Sequence, residues 1–327
     1  MTKKNNVLCP VCSSRNTALF FTSGYNQQKL RTTVLFDKNA CFSYFKCKKC
    51  EAEFIANPPK HDEFREVYDT VYTDDEKELS SARKQNSVIF SLLRKWRKEL
   101  TKNKLPLYLK VLLYPLLFTF PRTSLECFRF FGSRPIKVLD IGCGNGDFLN
   151  TMKNNFNVED ALGVDISPAA VELCKKNNIR ATTLPLSSIT FHPNLVTAAH
   201  LLEHIDNPRE FIQQINSILE KNGFLIMSLP NTGGLGRRLF GKYWHGFSIP
   251  RHLVNYNKKT IEELLKNTSL KIVSYRTRGI YLSSLNVIFQ KRIIPAPLTF
   301  IFHVFQMLPG LFIFNLGDEQ IVVAKKI

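Results

Sequence analysis

Four of the eight cysteines form two pairs with the same spacing, a pattern in which thiol groups can bind a metal ion. Two residues separate Cys9 from Cys12, and two separate Cys47 from Cys50. That gap lets both thiolates of one tight turn reach a single tetrahedral ion, so two such turns complete a zinc site. Because all four ligands are cysteines, we expect a closed, structural site in a small zinc-ribbon-like module. Two pairs of buried thiols without metal are the alternative.

A second group of residues could bind a nucleoside. Gly142, Gly144 and Gly146 follow an apolar stretch that contains Asp140, and they predict a tight turn between a strand and a helix. Asp165 ends the next predicted strand, 19 residues after Gly146. A carboxylate at that position can accept hydrogen bonds from ribose hydroxyls. Together these features predict a nucleoside-containing cofactor at the carboxyl ends of two adjacent strands.

The elements that must position these residues alternate between strands and helices. This alternation predicts an α/β fold, a doubly wound, Rossmann-like sheet of seven strands whose ligand lies where the strand order reverses. The predicted strands are 137–141, 161–165, a strand near 180–185, 195–199, 224–229, 270–275 and 320–324. Helices are expected from Asp147, after the cap at Ser167, and over 208–220.

Length and charge indicate how many domains the chain can form and what kind of partner it binds. The chain has 327 residues, enough for roughly two domains. Its 45 Lys and Arg against 27 Asp and Glu give a net charge of +18, which indicates an anionic partner: nucleic acid, a membrane surface or a phosphorylated substrate. No apolar run precedes Cys9, so we expect no secretory signal and a reducing, cytoplasmic location.

Three motifs in order resemble those of class I S-adenosylmethionine-dependent methyltransferases. Residues 138–146 read VLDIGCGNG and look like the first motif of that family, and residues 163–167, GVDIS, resemble the second. Residues 200–208, HLLEHIDNP, resemble the segment after the fourth strand. A nicotinamide-binding domain would more typically carry G-x-G-x-x-G, whereas this chain has D-x-G-x-G-x-G.

The resemblance implies a role for each of these residues toward S-adenosylmethionine. Asp140 would orient the glycine loop or the amino-acid end of the cofactor. The glycines would give clearance, and Asp165 would hold the ribose. Residues 200–202 would lie near the sulfonium or the adenine. The predicted cofactor-binding residues are Asp140, Gly142, Gly144, Gly146, Asp165, Ile166, His200 and Leu201. The third strand lacks an acid for the adenine amino group, which departs from the family pattern.

Three histidines are candidate catalytic bases. His204, His245 and His252 are expected in loops at the carboxyl edge of the sheet, although each could equally be structural. His252 is the first choice because the loop after the fifth strand reaches the substrate. Arg251 beside it could hold a phosphate or a carboxylate. Trp244 could stack on a sugar or form a small core of its own loop.

Residues 243–253 resemble a W…PRHL stretch in a methyltransferase subgroup associated with bacterial surface polysaccharide clusters. Members of that subgroup can carry an N-terminal four-cysteine module. The resemblance implies a small-molecule or lipid-linked substrate, a sugar or glycan on a nucleotide or lipid-phosphate carrier at the cytoplasmic membrane face. An RNA methyltransferase, a quinone-type lipid O-methyltransferase and a non-catalytic scaffold are the alternatives. Nucleic acid is less favoured because no RNA-binding strand motif is present.

Two regions outside the motifs could contact a membrane. Within residues 81–110 the spacing of apolar residues predicts a basic amphipathic helix. A strongly apolar stretch, 105–120, overlaps the end of that range. Residues 293–316 contain no Lys, Arg, Asp or Glu. These segments fit either a peripheral contact with an anionic membrane surface on the inner face of the membrane, or a packed helical lid.

The sequence therefore predicts three units. Residues 1–60 form the zinc-binding module, 61–131 a helical linker, and 132–327 the methyltransferase domain with an apolar insertion at 280–316. We expect the module and the methyltransferase domain to have separate cores.

Overall fold

The computed structural model describes residues 7–24, 40–59, 134–279 and 315–327, together with Glu126 and residues 129–131. The predicted basic helix within 81–110, the apolar residues 105–120 and nearly all of the insertion 280–316 lie outside the described residues. Among the described residues, no helix combines the length and apolar content needed to cross a bilayer.

The described elements follow the predicted alternation closely. The strands are β1 (Thr17–Gly24), β2 (Cys41–Cys47), β3 (Glu53–Ile55), β4 (Ile136–Ile141), β5 (Val158–Val164), β6 (Ala181–Thr182), β7 (Leu195–Ala199), β8 (Phe224–Pro230), β9 (Val254–Asn255), β10 (Leu270–Arg278) and β11 (Glu319–Lys326). The helices are α1 (Asp147–Asn155), α2 (Pro168–Lys176), α3 (Pro208–Ile218), α4 (Leu235–Phe240) and α5 (Lys258–Leu265). Short 3₁₀ turns occupy Leu186–Ser188, Leu202–His204, Gly241–Tyr243 and His245–Phe247.

The large sheet confirms the predicted seven-stranded, doubly wound fold. Its strand order is β10-β11-β8-β7-β4-β5-β6. β6, β5, β4, β7 and β8 pair in parallel, whereas β11 is antiparallel to both of its neighbours. The chain runs outward from β4 to β6 and then returns to β7 on the other side of β4. The strand order thus reverses between β4 and β7, where such sheets bind their ligands.

Helix starts in this sheet follow local capping chemistry. Ser167 accepts a hydrogen bond from the N–H of Ala170, and Pro168 occupies the first turn of α2. Asn207 and Asn257 cap α3 and α5 in the same way. Buried apolar strands β7 and β8 form the centre of the sheet, so the helices can cover both of its faces.

The cysteine module does not have a core of its own, so the expectation of separate cores is wrong. Its sheet has the order β1-β2-β3-β9, and β9 belongs to the chain segment between β8 and α5. Cysteine-module residues and methyltransferase-domain residues share one hydrophobic cluster. The Tyr44 hydroxyl, fully buried, lies 3.3 Å from the carbonyl oxygen of Phe247 and 3.1 Å from that of His252. A short strand pair and aromatic packing therefore join the two units.

A buried ion pair reinforces this junction. Arg237 of α4 donates to both carboxylate oxygens of Glu53 on β3, at 3.0 Å each. The guanidinium carbon lies 4.8 Å from the ring centre of Phe20 and 5.0 Å from that of Phe247. A bidentate pair flanked by aromatic rings is well suited to a desolvated contact, because the planar guanidinium uses both its edge and its faces.

Candidate functional site

The glycine turn after β4 lies at the reversal point of the sheet. Gly142, Gly144 and Gly146 have φ angles of 73°, 53° and 82°, a left-handed conformation that side chains rarely adopt. A Cβ atom at Gly142 would also lie 3.3 Å from the side chain of Leu201. The glycines are therefore needed both for the turn and for the close approach of β4 to the loop after β7.

Asp165 is positioned directly beside this turn. It follows β5, is buried, and accepts hydrogen bonds from the N–H groups of Gly144 at 2.9 Å and Ser167 at 3.0 Å. These two bonds fix the orientation of the carboxylate at the mouth of the sheet. A carboxylate held at the end of the second strand in this way is where such folds bind ribose hydroxyls.

Asp140 lies deeper, at the end of β4. It is buried and accepts a 2.6 Å hydrogen bond from the Thr197 hydroxyl. Burial raises the pKa of this carboxyl from 3.8 to about 7, against the opposing effect of the Thr197 hydrogen bond and with a further contribution from Asp165. An unfavourably buried acid at this position would be stabilised by a cationic ligand group such as the ammonium of S-adenosylmethionine.

Apolar side chains border the same mouth. Ile166 is 40% exposed and Leu184 is 52% exposed, and they follow β5 and β6 respectively. Leu201, half-buried, follows β7. Because the carboxyl ends of parallel strands meet at one edge, these side chains offer an uncovered apolar wall next to the glycine turn. Such a wall, with a carboxylate beside it, offers the apolar surface and the hydrogen-bond acceptor that a nucleoside needs.

The structure brings two of the three predicted catalytic histidines together. The ring centres of His204 and His252 lie 4.8 Å apart, at an interplanar angle of 81°. Each Nδ1 lies within hydrogen-bond distance of a backbone carbonyl oxygen, 2.8 Å from Arg251 for His204 and 2.7 Å from Gly246 for His252. His245 is exposed and lies outside this pair.

Burial makes both paired histidines weak bases. It lowers the pKa of His204, and it lowers that of His252 to about 3, with a contribution from His204. An effective general base at neutral pH needs a pKa closer to 7. The electrostatics therefore argue against His252 as the proton acceptor, although it was the first choice from the sequence.

Sequence reasoning missed the acid between these histidines. Glu203 is fully buried, and its Oε1 lies 3.4 Å from Nδ1 of His200, an ion-pair contact when that imidazole is protonated. Burial acts to raise its pKa, but the nearby His200, His204 and His252 outweigh it and lower the pKa to about 2. Residues 200–208 already indicated this acid, since Glu203 has histidines three residues before and one residue after it.

His200 lies on the exposed side of this acid. Its side chain is 50% exposed, with Nδ1 3.4 Å from Glu203 Oε1 and Nε2 3.6 Å from Glu319 Oε1. His200 follows the last residue of β7, and its φ of 51° is left-handed, a conformation that is uncommon for residues other than glycine. Two carboxylates thus hold an accessible imidazole beside the cofactor mouth.

Two other predicted residues have structural surroundings. Trp244 is buried, donates from Nε1 to Asp318 Oδ2 at 3.0 Å, and packs edge-on against Phe247. It is therefore part of the loop's core, the second of the two predicted alternatives. Arg251 is half-buried and donates to the Ser248 hydroxyl at 2.7 Å, while its Nε has no partner among the described residues.

The four predicted cysteine ligands do come together. The sulfur atoms of Cys9 and Cys50 lie 3.5 Å apart, those of Cys12 and Cys47 lie 3.6 Å apart, and all four fall within 4.8 Å of one another. Two sulfurs on one tetrahedral zinc are about 3.8 Å apart, given a Zn–S distance of about 2.3 Å. The thiol set therefore has the composition and the dimensions of a four-cysteine zinc site.

Comparison with known proteins agrees with this geometry. A family model described as "Methyltransferase domain" matches residues 117–275, just under half of the chain. The fold and the glycine turn agree with this match, so these residues have the Rossmann-like fold of a methyltransferase domain.

The chain is similar to proteins with different acceptors. It is 30% identical over 119 residues to the mitochondrial ubiquinone biosynthesis O-methyltransferase of Schizosaccharomyces pombe, covering 32% of this chain and 41% of that protein. It is 27% identical over 128 residues to the malonyl-[acyl-carrier protein] O-methyltransferase of Hahella chejuensis, covering 36% and 44%. The chain thus spans less than half the length of these two curated relatives.

A solved S-adenosylmethionine-dependent methyltransferase from Archaeoglobus fulgidus is 22% identical in sequence. The likeness covers 66% of this chain and 99% of that structure, with a TM-score of 0.43.

Proposed function

We propose that this chain transfers the methyl group of S-adenosylmethionine to an acceptor molecule. The observation that carries the proposal is the glycine turn at the reversal point, with Asp165 held beside it by two backbone N–H groups. S-adenosylmethionine supplies a methyl group on a sulfonium, which needs little activation beyond alignment.

The residues of the site divide this work. Asp165 binds the ribose, Ile166 and Leu201 cover apolar parts of the cofactor, and Asp140 faces its cationic end. As the acceptor oxygen bonds to the methyl carbon, the carbon–sulfur bond breaks and its electrons remain on sulfur. The acceptor proton passes to His200, whose imidazole is exposed and held between two carboxylates. General-base catalysis of this kind contributes about 10²–10⁴-fold in rate.

For the acceptor we propose a sugar or glycan on a nucleotide or lipid-phosphate carrier, handled at an anionic membrane surface on the cytoplasmic side. Arg251 supports this choice because it is half-buried beside the site and its Nε lacks a partner among the described residues. A phosphate would accept from that group. The net charge of +18 also favours an anionic substrate or surface.

A second candidate is O-methylation of a quinone-type lipid ring. The observation in its favour is the similarity to ubiquinone biosynthesis O-methyltransferases, which extends over 32% of this chain in the Schizosaccharomyces pombe protein. That acceptor carries a hydroxyl on an aromatic ring and no phosphate, so Arg251 would not be needed to bind it.

We also infer that the four-cysteine cluster binds one structural zinc ion. The four sulfur positions need only small shifts to surround the metal, and no open ligand position remains for chemistry. Its role is to hold the turns that carry β2 and β3 against the methyltransferase domain.

Calorimetry on Asp165→Ala tests the cofactor site. Loss of the ribose acceptor should weaken S-adenosylmethionine binding by about 1.5–3 kcal/mol, roughly 10–150-fold. Asp160→Ala is the control, since Asp160 lies on β5, the strand that Asp165 follows, in an exposed pair with Arg180. Unchanged affinity in Asp165→Ala would remove this residue from the site, and no binding by the unmodified protein would overturn the proposed function.

Methyl-labelled cofactor then identifies the acceptor. Label should appear in nucleotide-linked or polyprenyl-phosphate-linked glycans; label only in phenolic quinone precursors would favour the second candidate, and label only in total RNA would exclude both. With the active acceptor, His200→Gln should reduce kcat by about 10²-fold while cofactor affinity is retained. An unchanged kcat would exclude His200 as the proton acceptor.

A further inference from the structure

Two buried thiols meet at the glycine turn of the cofactor site. Cys143 lies in the turn itself, between Gly142 and Gly144, and Cys174 lies on α2. Their sulfur atoms are 3.8 Å apart, and neither residue belongs to the four-cysteine cluster. Cys143 is 6% exposed and Cys174 has no exposed surface. The pair is therefore separate from the zinc site and adjacent to the cofactor.

Two glycines leave the space that these sulfur atoms occupy. A Cβ atom at Gly163 of β5 would lie 2.6 Å from the Cys143 sulfur, and one at Gly146 would lie 3.1 Å from the Cys174 sulfur. Side chains at either position would displace the thiols, because such contacts are shorter than van der Waals distance. The backbone thus holds the two sulfurs against each other.

Gly144 connects the thiol pair to the ribose acceptor. Its carbonyl oxygen accepts a 3.1 Å hydrogen bond from the Cys174 thiol, and its N–H donates to Asp165 at 2.9 Å. Its φ of 53° is left-handed, so few other conformations of the turn keep both contacts. A change at the thiols therefore alters the position of the N–H that orients the Asp165 carboxylate.

We propose that Cys143 and Cys174 form a reversible disulfide with hydrogen peroxide as the oxidant, and that this bond weakens cofactor binding. The second part rests on the proposed function, since it needs the cofactor at the glycine turn. The two sulfurs of a disulfide are about 2 Å apart, so bond formation must draw the turn and α2 together from the 3.8 Å contact.

The two thiols differ in reactivity. The hydrogen bond from Cys143 lowers the pKa of the Cys174 thiol, while burial acts in the opposite direction. Cys174 is therefore the sulfur that attacks the peroxide. Because the oxidant must enter past the glycine turn, bound S-adenosylmethionine should slow the reaction.

The reaction proceeds in two displacements. The Cys174 thiolate attacks one peroxide oxygen, the oxygen–oxygen bond breaks, and hydroxide leaves. The Cys143 sulfur then attacks the resulting sulfenic acid, so that the sulfur–sulfur bond forms and a second hydroxide leaves. The two thiol protons convert both hydroxides to water. Two thiols and one peroxide thus give one disulfide and two waters, and the thiols supply the two electrons that reduce the peroxide.

The disulfide removes the S–H group that the Gly144 carbonyl accepts, and it pulls Cys143 toward α2. We expect the affinity for S-adenosylmethionine to fall by about 10-fold, the effect of one hydrogen bond lost from the support of the site. A dithiol reductant such as dithiothreitol should restore it, because thiol–disulfide exchange regenerates both thiols.

Peroxide treatment of the reduced full chain, in buffer that contains zinc, tests the proposal. Mass spectrometry of peptides detects the Cys143–Cys174 linkage, and calorimetry measures cofactor affinity before treatment, after treatment and after dithiothreitol. Cys174→Ser should form no linkage and keep its affinity through the treatment, since a hydroxyl can still donate to Gly144. Cys41→Ser is the control, because Cys41 is exposed and outside the pair, and it should respond like the unmodified chain.

Absence of the linkage under conditions that oxidise Cys41 would overturn the proposal, as would a linkage that leaves cofactor affinity unchanged. An equal loss of affinity in Cys174→Ser would assign the effect to other cysteines and would also overturn it. If Cys174→Ser does not fold, Cys143→Ser decides by the same criteria. Reduced, unmodified chain that binds no cofactor would contradict the proposed function instead, since the linkage is mapped without cofactor.

Discussion

Two clusters of side chains come together in the described part of the chain, and they differ in how they are built. The four-cysteine cluster draws its thiols from two short turns, and the sulfur atoms lie 3.5 Å apart for Cys9 and Cys50 and 3.6 Å apart for Cys12 and Cys47. The cluster of Glu203, His204 and His252 draws its side chains from two loops that are distant in sequence, and its carboxylate is fully buried.

The four-cysteine module and the cofactor edge of the large sheet therefore differ in what their polar groups do: the first stabilises the fold, and the second is suited to bind a ligand. A site with four thiolates is complete in itself and contributes to folding once the metal is bound. The cofactor edge instead contains an acid whose ionised form is disfavoured by burial in the empty fold, Asp140. Such groups lower stability, and they persist where a ligand compensates them.

The largest expected effect comes from removing one thiolate. Cys9→Ser should abolish zinc binding and, because the module shares its core with the methyltransferase domain, unfold more than the first sixty residues. Structural zinc supplies on the order of 10 kcal/mol, as much as the whole stability of a typical domain. Elemental analysis and thermal melting measure the loss. Cys41→Ser is the control, since Cys41 is exposed and outside the cluster. A Cys9→Ser protein that kept its melting temperature and cofactor affinity would show that the cores act separately.

A smaller effect is expected at the junction between the two regions. Glu53→Gln should destabilise the chain by about 3–5 kcal/mol, because it leaves the buried guanidinium of Arg237 without its charge partner. Lys46→Gln removes the other cation on Glu53, but Lys46 is 46% exposed and should contribute less than about 1 kcal/mol. Chemical denaturation gives both values. Equal free energies of unfolding for the two variants would show that the ion pair of Glu53 and Arg237 does not couple the cysteine module to the methyltransferase domain.

The smallest change in the free energy of unfolding is expected at Asp140, where the substitution should stabilise the fold rather than destabilise it. Its folded-state pKa of about 7 lies above its ordinary 3.8, so the folded chain binds the extra proton between these values. Stability from this group therefore falls as pH rises from about 4 to 7. Asp140→Asn should be more stable than the unmodified chain by about 2–4 kcal/mol at pH 8, with the difference vanishing near pH 4.

Urea denaturation of the cofactor-free protein at pH 4.5, 6 and 8 measures this difference. Asp160→Asn, at a partly exposed position on β5, is the control substitution. A difference for Asp140→Asn that did not change with pH would mean that the Asp140 carboxyl titrates normally and that its burial is not unfavourable.

Short-range patterns were enough to predict much of the fold. The glycine turn, Asp165 and the cysteine pairs each lie within one strand–turn unit, so local backbone geometry fixes their arrangement. The seven strands were predicted for the same reason, although β5 begins at Val158 rather than 161 because its first half is polar and only its second half is buried. The order of the strands in the sheet was not predicted, since periodicity alone does not specify it; the structure supplies it.

Contacts between distant residues were decided only by the tertiary structure. Glu203 and His252 are 49 residues apart, and Glu53 and Arg237 are 184 apart, so no local spacing indicates that they meet. The sequence identified His252 as a base, whereas burial against His204 lowers its pKa to about 3. Trp244 could have bound a ring, but Asp318 holds its indole inside the loop. The amino-acid types determined which chemistry was available, and burial in the shared core determined which of it the fold can use, because desolvation sets both the charge state and the need for a partner.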